Sequence, residues 1–65
     1  MPKKEMEAFF IKVALDETLP PSDPASLGIP LTPTEIDVIN NCRPADDSLK
    51  EFLACLAKYI ASLKP

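Results

Sequence analysis

Histidine is absent from this 65-residue chain, cysteine occurs only twice, and nowhere do 18 apolar residues run together. Without histidine, two cysteines are too few ligands for a tetrahedral zinc site. Cys55 likewise has no imidazole to activate it as a nucleophile. The missing apolar run leaves no segment that could span a bilayer as a helix. A clustered excess of cations is also lacking. Seven scattered Lys and Arg stand against ten Asp and Glu, a net charge of −3, which argues against a phosphate-binding surface and hence against nucleic acid as a partner. There is no internal repeat and no period-two alternation long enough for a sheet. Glu5 and Asp16 fall on one face of a helix, but three turns apart with Lys12 between them, which describes a solvated strip rather than a catalytic carboxylate pair. The sequence therefore predicts no catalysis, no cofactor and no metal.

Lys3 and Lys4 precede an apolar patch, as in a secretory signal, yet Glu5, Glu7 and Lys12 interrupt it and no small-residue cleavage site follows. This predicts a cytoplasmic protein. Cys42 and Cys55 are then most simply two reduced thiols. The sharper alternative is a mutual disulfide stapling the second helix to the third, which needs an oxidising compartment.

What is present is helical patterning. Over 49–63, Leu49, Phe52, Leu53, Leu56, Tyr59, Ile60 and Leu63 keep the three-and-four spacing of one helix face, while Lys50, Glu51 and Lys58 take the other side. Ala54, Ala57 and Ala61 favour the helix and let a neighbouring element come close. Ser48 followed by Glu51 is a capping box for its start, and Asp46 and Asp47 suit the positive end of its dipole. Thr32-Pro33-Thr34-Glu35 is a stronger signal: an N-cap, a proline at the first helical position, and a glutamate placed to reach back. Leu31 and Ile36 flank it as a hydrophobic staple. A short helix should follow to residue 41, burying Ile36 and Ile39, with Val38 on its flank.

The first helix, over about 3–18, opens on Pro2. Met6, Phe9, Phe10, Val13 and Ala14 make one apolar face, and Ala8, Ile11 and Leu15 widen it beyond what one small core can use. The excess has two explanations. The helix is sandwiched between the other two, or Ile11 and Leu15 form an exposed patch for another chain or for self-association. Between the first two helices lies a proline-rich connection. There Asp23 could cap a turn starting at Pro24, with Leu27 inside and Gly28 closing it in the left-handed conformation.

Phe9-Phe10-Ile11-Lys12-Val13-Ala14-Leu15-Asp16-Glu17-Thr18-Leu19, a spacer, and Gly28-Ile29-Pro30-Leu31-Thr32-Pro33-Thr34-Glu35-Ile36 together resemble the Nif11-type leader region of ribosomal peptide precursors. The resemblance covers the first two helices and implies a helical leader recognised by a modifying enzyme. Two shorter resemblances exist. Leu31-Thr32-Pro33-Thr34-Glu35-Ile36-Asp37-Val38-Ile39 looks like the opening of a LuxR-type helix-turn-helix, although the basic residues of that family are absent. Asp47-Ser48-Leu49 is similar to the Asp-Ser-Leu of acyl carrier proteins, which would make Ser48 a phosphopantetheine site.

Together these features predict one all-α domain of three helices, at about 3–18, 33–41 and 48–63, with Phe9, Phe10, Val13, Ile36, Ile39, Phe52, Leu53, Leu56 and Ile60 in its core. The expected function is protein–protein interaction, with another protein or a second copy of the chain as partner. Ile11 and Leu15 on the first helix and Tyr59 and Leu63 on the last are the expected contact residues. Tyr59 is favoured because tyrosine offers a large rigid contact with a polar tip. A domain this small buries only about 60% of its unfolded surface, so a partner would add materially to its stability.

Overall fold

The computed structural model describes residues 2–20 and 28–63. It contains three helices, α1 (Pro2–Asp16), α2 (Pro33–Asn41) and α3 (Leu49–Ser62), and no strand among the described residues. The expected turn at Asp23, Pro24 and Leu27 lies outside them. Gly28 itself takes the left-handed conformation expected of it, at φ 78°, and Ile29 packs on the core.

α1 ends two residues earlier than its pattern predicts. Glu17 adopts a left-handed φ of 56° and donates its N–H to the Val13 carbonyl at 3.0 Å, which closes the last turn and redirects the chain. Leu19, partly buried, and the buried Pro20 then return toward the core.

α2 starts as its capping residues dictate. The Thr32 hydroxyl accepts the Glu35 N–H at 3.3 Å, and Glu35 Oε1 accepts the Thr32 N–H at 2.9 Å. At α3 the cap works differently from the expected reciprocal box. Ser48 Oγ accepts the Glu51 N–H at 3.3 Å, while the Ser48 N–H donates to Asp46 Oδ1 at 3.1 Å. Asp46 thus takes the role expected of Glu51. Ser48 and Leu63 flank α3 as caps rather than belonging to it.

The core consists of Met6, Phe9 and Val13 from α1, Ile39 and Cys42 from α2 and its C-cap, and Phe52 and Leu56 from α3. Each large side chain so buried stabilises the fold by roughly 1.5–3 kcal/mol. Phe10, Leu53 and Ile60 pack against this cluster but remain partly exposed, so they edge the core rather than fill it. Ile36 is a clear correction. The inward face of α2 carries Glu35, Ile39 and Cys42 at three-and-four spacing, which leaves Ile36 a turn-fraction aside and only partly buried. Glu35 Oε1 is tied back to the Thr32 backbone and hydroxyl, while its buried Oε2 has no hydrogen-bond partner among the described residues.

The second correction concerns the cysteines. Cys42 and Cys55 are joined in a disulfide, with Cα atoms 5.6 Å apart and a separation of 13 in sequence. The turn over 43–48 folds α3 back across the end of α2, bringing Cys55 onto the inward-facing Cys42 at a spacing a disulfide spans without distortion of the backbone. Arg43 reaches over the same junction, its guanidinium carbon 5.9 Å from the Phe52 ring centroid.

Candidate functional site

α1 packs chiefly on α3 and is not enclosed on both sides. Successive helical residues turn by about 100°. With Met6, Phe9 and Val13 directed inward, the residues opposite are Lys4, Ala8, Ile11 and Leu15, all four exposed. Ile11 is 56% exposed and Leu15 77%. They are the two exposed large hydrophobic side chains among the described residues. Being four apart on a helix, they are neighbours.

Beside this stripe, α1 and α3 border an open groove of about 340 Å³. Lys3, Glu7, Phe10 and Ile11 line it from α1, and Ala57, Ile60 and Ala61 from α3. The two alanines make the depression by being short. Their spacing was visible in the sequence as a place of close approach. The roles of Phe10 and Ile60 were not, because a core position and a groove wall have the same apolar periodicity.

Of the four residues expected to contact a partner, Ile11 and Leu15 stand together in the open. Tyr59 and Leu63 are partly buried against the chain's own core, so the structure does not gather all four on one free face. The Tyr59 carbonyl accepts the Ser62 hydroxyl at 2.6 Å, closing the last turn of α3.

The charges around the stripe have an order of their own. Lys3 and Lys4 share the first turn of α1 with Glu5, while Asp16 ends the helix and Glu17 follows it. The net charge at each end is the reverse of what the helix dipole favours. Within α1, Lys12 Nζ lies 3.8 Å from Asp16 Oδ2, with both side chains about half exposed at 44% and 52%. A pair so exposed contributes well under about 1 kcal/mol, leaving both charges available to a partner.

Ser48, the residue that resembles a carrier-protein attachment site, is occupied as the N-cap of α3. Among the described residues, no group of three His, Cys, Asp or Glu is placed to hold a metal ion, and no helix is long and apolar enough to cross a membrane. No protein-family model matches this chain, and comparisons with curated proteins and with solved structures return no match.

Proposed function

We propose that this chain is a non-catalytic helical interaction module that presents the outer side of α1 to another protein chain. The observation that carries the reading is the exposure of Ile11 and Leu15 directly opposite a core that is already complete without them. Isolated surface leucines are ordinary. An aliphatic pair on adjacent turns, continuous through Ile11 with a groove that Phe10 and Ile60 line, is the kind of surface that a helix or extended segment covers. Burial of these side chains would supply the affinity, with Lys3, Lys4, Glu7 and Asp16 around the rim governing partner choice and association rate.

The disulfide bears on where this takes place. Bridges of this kind are uncommon in a reducing cytosol, so the Cys42–Cys55 bond weighs against the cytoplasmic location expected from the N-terminal sequence.

A photo-crosslinking residue placed at Leu15, with Lys50 on the exposed side of α3 as control, tests the reading in cells that make the protein. A discrete adduct from position 15 that disappears on Ile11→Glu, with none from position 50, is the expected result. No adduct from position 15, or the same adducts from both positions, would overturn the proposal.

A further inference from the structure

Resting on that reading, we infer that the chain covering α1 is a second copy of this one, docked antiparallel along the same helix. Lys4, Ala8, Ile11 and Leu15 follow one another at intervals of four, three and four, the spacing of a two-helix seam, and all four are exposed. In an antiparallel pair, Ala8 of one copy meets Ile11 of the other, and Lys4 meets Leu15. Both pairings share one midpoint, between Phe9 and Phe10, so a single two-fold axis satisfies them together, as an isologous interface requires. The small Ala8 makes room for Ile11, and the alkyl stem of Lys4 lies over Leu15 with its ammonium directed outward.

The charges select the same arrangement. α1 carries Lys3 and Lys4 against a single Glu5 in its first turn, and Asp16 and Glu17 at its close, so its start is net basic and its end net acidic, against the dipole. An antiparallel copy brings the acidic end of one α1 beside the basic end of the other at both extremities and opposes the two dipoles. A parallel copy would set lysine against lysine and carboxylate against carboxylate. Three turns of paired helix bury less than the roughly 1,200 Å² of a standard interface, so the dimer is a weak, concentration-dependent one.

Sedimentation equilibrium from about 1 to 500 µM on the disulfide-bonded chain tests this, using two reciprocal charge variants. Lys3→Glu with Lys4→Glu makes both ends of α1 acidic, and Asp16→Lys with Glu17→Lys makes both basic. Either variant alone should dimerise at least about tenfold more weakly than the parent chain. An equimolar mixture should recover the parent mass, because every end contact then joins opposite charges. Acidic residues in the first turn favour a helix, so circular dichroism should show the first variant at least as helical as the parent, which separates lost association from lost folding. Independently of these variants, a photo-crosslinker at Leu15 should form its adduct near Lys4 of the second copy.

A parent chain that stays monomeric throughout, while position 15 is crosslinked in cells to a different protein, would overturn the second copy and leave the interaction module standing. A dimer indifferent to both charge variants, a mixture no stronger than its components, or an adduct from Leu15 onto Leu15 of the other copy would overturn the antiparallel pairing. Absence of both dimer and cellular adduct would overturn this inference and the interaction module together.

Discussion

The two sides of α1 are made of similar residues and have different fates. Met6, Phe9 and Val13 are enclosed by α2 and α3, whereas Ala8, Ile11 and Leu15 on the opposite side meet solvent. α3 offers the contrast. Its largest apolar side chains keep to one side, and all of them are buried or packed on the core. A helix that is apolar on one side reports only its own core. One that is apolar most of the way round reports that something besides the core must stand against it, or that its surface carries an unmet contact.

The comparison can be broken most forcefully from the inside. Phe9→Ala should destabilise the domain by about 3–5 kcal/mol, because the ring is fully buried and its loss leaves a cavity. A domain of this size has a total stability of about the same amount, so the expected outcome in urea or thermal unfolding is a chain largely unfolded at room temperature. Retention of a cooperative transition close to the parent midpoint would show that the inner side is not where the stability lies.

Cys55→Ser should cost about 3 kcal/mol, the loop-closure term for a ring of this length. The midpoint of the parent chain should fall comparably on adding reductant, whereas that of the variant should not respond. Thr32→Ala should cost about 1 kcal/mol by opening the cap of α2, with buried Glu35 losing the Thr32 hydroxyl and keeping the backbone N–H at the same position. The same change at Ser48 should cost less, since that cap is solvent-exposed. A ranking in the other order, measured by chemical denaturation, would mean that the buried carboxylate contributes nothing beyond the cap itself.

The smallest effect on folding is expected on the outer side. Leu15→Lys, which sets lysine against Lys4 of the second copy, should move stability by no more than about 0.5 kcal/mol while abolishing association. Equal losses of stability from Leu15→Lys and Phe9→Ala would dissolve the distinction between the two sides.

Much of the architecture was legible because it is written in local chemistry. Thr32, Pro33 and Glu35 mark the start of α2 through hydrogen bonds made within three residues, and those bonds are present. The end of α1 was less legible, since a glutamate at a left-handed φ carries no sign of it in sequence as glycine would. Ile36 was misplaced because binary patterning assigns a charged neighbour to solvent. Glu35 is instead buried at 2% exposure, with one oxygen held by the Thr32 backbone and hydroxyl. The bridge could not be settled from spacing alone, because whether Cys42 meets Cys55 depends on how the turn over 43–48 aims α3. Similarly, the wheel of α3 marks Tyr59 and Leu63 as apolar but does not say that the chain's own core uses them.

The Cys42–Cys55 bond also divides the molecule by the way its parts are held. The bridge closes a covalent ring that joins α2 to α3, whereas α1 lies outside that ring. An excursion that lifts α1 away leaves that ring intact but takes Met6, Phe9 and Val13 out of the core. Hydrogen exchange on the oxidised protein should therefore release the amides of α1 and those around Ile39 and Leu56 together. Detachment of the helix that bears the interaction face is then close to the loss of the whole fold, with the bridge alone still restraining the chain between Cys42 and Cys55.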